Sequence, residues 1–234
     1  GGGRREKVLI ATKVAKWAKH PGLKPANIFA ACDDSLLRMG IDVIDLYQLH
    51  EDDMSVPPED YMGALAELVK AGKVRAVGLS NFTPERTLAA IKAGGPRVET
   101  MQPEYSLMSR EIEADLQPLC VRENISLITY FALASGYLSG KYRTAADKSK
   151  SVRGGRMDGY MNGKGPAVLA AMDALSAKTG ASLAQIALAW LMAKPGVAAP
   201  IASATNVAQL TELMGALNVK LAVEDIAALD RASA

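Results

Sequence analysis

Lys7-Val-Leu-Ile-Ala-Thr-Lys13 is followed, after a helical pattern from Pro25 to Met39-Gly40, by Asp42-Val-Ile-Asp-Leu-Tyr-Gln-Leu-His50, and this succession decides the fold. Each flanking segment is a short, mainly apolar run, as expected of a strand buried on both faces in a parallel sheet. Each ends in a titratable residue. Between them Ile28, Cys32, Leu36 and Leu37 recur at helical spacing, Pro25 suits a helix's first turn, and Gly40 suits the position just past its end. The order is strand, helix, strand.

The alternation continues outward. Pro58 opens a helical pattern through Met62, Leu65, Leu68 and Val69 that stops at Gly72. Val74 to Asn81 reads as a strand before a helix begun at Pro84, and Val98 to Tyr105 as a strand before a helix around Ile112, Leu116 and Leu119. Ser126 to Leu133 is a fifth strand. An irregular stretch at about 143–165 precedes helical patterns at about 166–178 and 182–193, then Val197 to Ala204 as a sixth strand and a helix from about 206. Val223 to Leu229 reads as a closing amphipathic helix, and no interdomain linker interrupts 1–234. One domain is expected.

Parallel strands alternating with helices leave two architectures, an open doubly wound sheet or a closed barrel. A dinucleotide-binding open sheet carries G-x-G-x-x-G after its first strand, and none of the six strand ends here has it. The reading is therefore a TIM (β/α)8 barrel with about six of its eight strand-helix units in this chain. Roughly 60 to 80 residues, the first two units, are expected to precede Gly1.

The composition excludes other classes. Hydrophobic residues make up 49% and charged residues 22% of the chain, a globular balance. The net charge of +2 comes from Lys and Arg interleaved with Asp and Glu, which argues against nucleic acid as a partner. Cys32 and Cys120 make neither a disulfide framework nor a metal-ligand spacing and read as reduced core residues. No apolar run reaches membrane-span length and no signal sequence opens the chain, so a cytoplasmic protein is expected.

In such barrels chemistry collects at the C-terminal ends of the strands. Here those ends carry Lys13, His50, Ser80-Asn81 and Gln102. A lysine there can depress a neighbouring acid's pKa or pair with a carboxylate, unless it merely snorkels to water. An imidazole there can donate to a substrate carbonyl, unless it is a satisfied structural histidine. His20, in a polar loop, reads as a surface residue.

Together these segments resemble the aldo-keto reductases. K-V-L-I-A-T-K, D-V-I-D-L-Y-Q-L-H, V-R-A-V-G-L-S-N-F and M-Q-P-E-Y-S-L stand in that family's order, and the likeness continues through Tyr130 to Tyr142 and Pro200 to Gln209, over essentially all 234 residues. The resemblance implies reduction of an aldehyde or ketone, a small-molecule carbonyl, by hydride from a nicotinamide cofactor. It implies Lys13 and His50 as two of four catalytic groups. The other two, an aspartate and a proton-donating tyrosine, belong to the family's second strand and following helix; Tyr47 and Tyr61 read as packing residues, and the 234 residues alone are expected to be inactive. It further implies Ser80, Asn81 and Gln102 around the carboxamide, and Tyr130 stacked on the nicotinamide. Phe131, Leu133, Ser135, Gly136 and Lys141 would follow the pyrophosphate, with Ser203, Ala204, Thr205, Gln209, Glu212 and Leu213 at the adenosine end.

The glycines of Gly136-Tyr-Leu-Ser-Gly140-Lys141 are one residue too close for a phosphate-binding P-loop, which is rejected. Thr205 stands where many members have an arginine for the 2′-phosphate, which leaves NAD open beside NADP. Lys148, Lys150, Arg153 and Arg156 form a basic loop that either folds over the cofactor or is simply solvated. Trp17 suggests a wall of the substrate pocket, Trp190 core, and Glu51-Asp52-Asp53 either repels anionic substrates or is a solvated loop. No metal site is expected. Two alternatives stay open: a non-catalytic regulatory protein that binds the nicotinamide nucleotide, and a barrel aldolase using Lys13 as a Schiff-base amine.

Overall fold

A computed structural model describes residues 3–150, 155 and 157–234, without the side chain of residue 150. Of the basic loop, Arg153, Arg156 and the Lys150 side chain therefore lie outside the described residues. The chain divides into two compact units, one running to Pro103 and including Pro118–Ser126, the other made of Glu104–Gln117 and Leu127–Ala234.

The first unit alternates β1 (Ala11–Val14), α1 (Pro25–Met39), β2 (Ile44–Leu49), α2 (Pro58–Lys70), β3 (Val74–Ser80), α3 (Pro84–Lys92) and β4 (Val98–Gln102). β1 pairs with β2, β2 with β3 and β3 with β4, all parallel. The three helices begin on the prolines that signalled them, where the missing N–H is no loss. Gly40 ends α1 in the left-handed region at φ 62° and donates its N–H to Leu36 O. Tyr47, Leu49, Leu65, Val77, Leu79 and Cys32 are completely buried. The Tyr47 hydroxyl donates to Ile28 O, and Tyr61 packs edge-on against Phe82, so both are packing residues.

β1 is shorter than its apolar run suggests. Arg5–Lys7 forms a 3-10 turn, and Val8 and Leu9 stay exposed. The cause lies 35 positions away: buried Asp45 accepts the Ile10 N–H at 2.8 Å and pairs with Arg5 at 2.8 Å and with Arg75. That carboxylate takes over a backbone partner the strand would otherwise have supplied, and these bonds hold its pKa below the ordinary carboxylate value.

After α4 (Leu116–Arg122) comes β5 (Ser126–Thr129), of which Leu127–Thr129, in the second unit, pair parallel with β6 (Val197–Pro200). α6 (Gly165–Thr179), α7 (Leu183–Met192) and α9 (Val223–Ala232) pack around Trp190. The Trp190 indole N–H donates to Asp230 at 2.8 Å, and Lys194 lies 4.6 Å above its ring. Ser182 and Gln185 close a reciprocal capping box at the start of α7. By contrast α8 (Val207–Met214) has no buried residue. The stretch read as irregular contains a 3-10 turn, Ala145–Lys150, and a short helix, α5 (Asp158–Met161). Asp147 organises its start by accepting the N–H groups of Arg143 and Thr144 at 2.8 and 2.7 Å.

Candidate active site

The ends of β1 to β4 share one rim because the strands are parallel. Lys13 is in register with Gln48, and the His50 N–H donates to Val14 O at 3.0 Å, extending the ladder past β2. Paired residues, and residues two apart, point to the same face of a sheet, so Lys13, Gln48 and His50 share a face. Burial lowers the pKa of Lys13, whose ammonium has no hydrogen bond or ion pair among the described residues. His50 is also shifted down, first by burial, then by the charges of Lys13 and Lys16, against the pull of Glu51. Its imidazole is thus biased towards the neutral form, which has one N–H to donate.

The next two strand ends continue the rim. Ser80 is in register with Gln102 and donates its hydroxyl to Gln102 O at 2.8 Å. Asn81 stands in the left-handed region at φ 57° and donates its amide to His50 O at 2.9 Å. Beneath them lies a buried polar tier that the sequence reading missed. Gln102 Nε2 donates to Gln48 Oε1 at 3.2 Å, and Gln48 Nε2 donates to Thr100 Oγ1 at 3.4 Å. Gly78 of β3, in register with both Gln48 and Thr100, leaves the space for that crossing; a Cβ there would run into Thr100 Oγ1 and sit 3.2 Å from Gln48 Cγ. The available signal was the placement of Gln48 two residues before His50 in an otherwise largely apolar strand.

The loop after His50 is half-exposed and carries its own ion pairs and hydrogen bonds. Glu51 pairs with Lys16 at 2.9 Å, and Asp52 holds Arg86 through two bonds of 2.7 and 2.8 Å. Asp53 accepts from Leu23 N at 3.0 Å and from the Ser55 hydroxyl at 2.6 Å. The acidic triplet is thereby committed to its own scaffold. Trp17 is 38% exposed and lies against α1, with the Arg38 guanidinium 4.2 Å from its ring centre and His20 edge-on to it. His20, read as a plain surface residue, is half-buried and bonded to Asp34 at 2.7 Å.

The second unit carries the remaining candidates. Tyr130 follows β5, its ring 5.2 Å from that of Phe131. Phe131, Ala134, Ser135, Gly136 and Gly140 all have positive φ, between 47° and 97°. Three of these five are non-glycine residues held where side chains cost of order 1–3 kcal/mol each, the kind of strain that concentrates at ligand sites. The segment uses several of its own N–H groups to close the turns: Ala134 donates to Phe131 O, Gly136 and Leu138 to Leu133 O, and Gly140 to Tyr137 O. Leu133 packs on the core of this unit, and Lys141 lies over the Tyr142 ring. Lys148 is paired with Asp158. After β6, Ser203 and Thr205 are exposed and Ala204 is half-buried; the Thr205 hydroxyl and N–H both donate to Gln209 Oε1 at 2.9 Å. Asn206 caps α8, Glu212 O accepts from Gln185, and Leu213 packs on the core.

The sequence pattern of the aldo/keto reductase family matches residues 1–234. The chain belongs to the aldo/keto reductase family. "Probable aldo-keto reductase 1" of Glycine max is 33% identical over 229 residues, 95% of this chain and 66% of that protein. "Aldo-keto reductase yakc [NADP(+)]" of Schizosaccharomyces pombe is 34% identical over 235 residues, 94% of this chain and 67% of its own. The chain thus spans about two thirds of the length of these relatives. Among solved structures, a thermostable aldo-keto reductase crystallised with the inhibitor epalrestat superposes with a TM-score of 0.79 at 29% identity, covering 98% of this chain and 73% of that one. This likeness and the parallel strands alternating with helices make the fold class that of the TIM barrel. As an aldo/keto reductase the chain has, among the described residues, no cluster of side chains able to hold a metal and no helix long and apolar enough to cross a membrane.

Proposed function

We propose that this protein takes part in the reduction of an aldehyde or ketone by NADPH, with Lys13 and His50 at the reacting carbonyl. The observation that carries the reading is the presence on one rim of a partly buried ammonium on β1, without a partner among the described residues, and a neutral-biased imidazole just past β2. The cofactor would supply the hydride. Its fit is supported by the donor set, since a carboxamide needs both donors and acceptors, and Ser80, Asn81 and Gln102 offer hydroxyl and amide groups. Gln102 is 6% exposed, and its Oε1 has no partner among the described residues. Tyr130 would lie on the nicotinamide, and the left-handed segment from Phe131 through Leu133, Ser135 and Gly136 to Lys141 would face the pyrophosphate. Ser203, Ala204, Thr205, Gln209, Glu212 and Leu213 would meet the adenosine, and Trp17 the substrate.

His50 as a neutral donor polarises the carbonyl oxygen, and Lys13 lends positive charge where negative charge develops. NADP rather than NAD is favoured by the resemblance and by the cofactor in the fission-yeast relative's name, with Ser203 and Thr205 exposed beside the start of α8.

The test, made on a chain that also carries the aspartate and tyrosine the resemblance implies, is NADPH oxidation against a panel of aldehydes and ketones, with borohydride added in a parallel series. Oxidation that falls by about 10²- to 10⁴-fold in His50→Asn or Lys13→Met supports the reading. A covalent carbonyl adduct on Lys13 after borohydride, without cofactor oxidation, would replace it with Schiff-base chemistry. Binding of NADPH without turnover of any carbonyl would favour a regulatory nucleotide-binding protein.

A further inference from the structure

Gln48 has no exposed surface. Burying a primary amide in a strand costs free energy unless its donors and acceptor are matched, and Val or Leu would fill the same volume at no such cost. Its two amide ends are engaged in one direction across the sheet: Gln102 Nε2 donates to Gln48 Oε1, and Gln48 Nε2 donates to Thr100 Oγ1. The bonds reach from β2 to β4 over Gly78 of β3, the one position at which a side chain would block them. Four residues on three strands therefore agree on a single feature.

That feature is the facing of the Gln102 amide. The two ends of a glutamine amide are nearly equal in shape, so only hydrogen bonds decide which end points where. With Nε2 tied to Gln48, the Oε1 of Gln102 is turned away from the tier, and it has no partner among the described residues. We infer that Gln48 is a positioning residue of the nicotinamide site. Through its bond to Gln102 it presents Gln102 Oε1 as an acceptor for the amino group of the cofactor carboxamide, which sets how the ring is turned in the site. This rests on the reading that the protein binds a nicotinamide nucleotide.

The experiment titrates the 234-residue protein with NADPH and with its reduced 3-acetylpyridine analogue, in which a methyl replaces the carboxamide amino group. The native chain is expected to bind NADPH about tenfold more tightly than the analogue, the worth of one good hydrogen bond. In Gln48→Leu the Gln102 amide is free to turn its N–H to the acetyl oxygen, and the ratio should fall to about twofold or less. Thr100→Val keeps Gln48 but removes the group that orients it, and should lower the ratio in the same direction. Loss of packing alone would weaken both cofactors equally and leave the ratio where it was. An unchanged ratio in folded Gln48→Leu, or in Thr100→Val should Gln48→Leu fail to fold, overturns the inference. So does a native ratio near one. Native protein that binds neither cofactor would instead defeat the functional reading beneath it.

Discussion

The strand ends of the first unit and the segment from Tyr130 to Gly140 in the second hold polar groups in place by different means. In the first, side chain is tied to side chain: Gln102 to Gln48, Gln48 to Thr100, with Asn81 reaching back to the His50 carbonyl. In the second the backbone itself is turned, with Phe131, Ala134 and Ser135 in left-handed conformations and bonds such as Gly136 N to Leu133 O closing successive tight turns. A site built the first way is sensitive to the size and polarity of a residue. One built the second way is sensitive to whether a residue has a Cβ at all.

That contrast can be broken most severely at Gly78. Gly78→Ala pushes a methyl into Thr100 and against Gln48, and should cost about 1–3 kcal/mol in urea unfolding, as overpacking does. Undiminished stability would mean that the tier is loosely held. In the second unit, neighbouring positions should respond with opposite sign. Gly136, at φ 97°, should lose about 1–2 kcal/mol on substitution by Ala. Ser135, at φ 56° and with no hydrogen bond from its hydroxyl among the described residues, should gain about 0.5–1 kcal/mol on substitution by Gly, as relief of strain outweighs the added chain entropy. Loss at both positions would show that the turn is not strained.

The smallest expected effects are in pH dependence, again with opposite origins. His50 has a folded pKa below its ordinary 6.5, so the folded state binds fewer protons than the unfolded state, and stability falls as pH drops from about 6.5 through the lowered value. Thermal melts between pH 5 and 8 should lose that part of their slope in His50→Asn. Asp45, held below its ordinary 3.8 chiefly by the Ile10 N–H and its arginines, contributes stability above that value that is lost as pH falls through the folded one. Asp45→Asn should flatten the acid limb and leave the His50 portion intact.

Much of this was legible in the amino-acid order. Prolines at helix starts, Gly40 at a helix end and apolar runs closed by Lys13 and His50 are local signals, and each fell where local chemistry says it should. The tier was not legible, because Gln48 means little until Thr100 and Gln102 are brought beside it from more than 50 residues away and Gly78 clears the path. The early end of β1 escaped for the same reason, since Asp45 competes for Ile10 across the chain. The left-handed run escaped differently: Phe, Ala and Ser have no preference for that region, so nothing in F-A-L-A-S announces it.

The acidic triplet beyond His50 has a consequence for encounter with small molecules. Asp53, held by hydrogen bonds from Leu23 N and the Ser55 hydroxyl, keeps its charge, whereas Glu51 and Asp52 are compensated at close range by Lys16 and Arg86. Charges compensated in this way cast little field into the solvent. One of three carboxylates is left to act on this stretch of rim, so the arrival of charged molecules there should change only slightly with added salt.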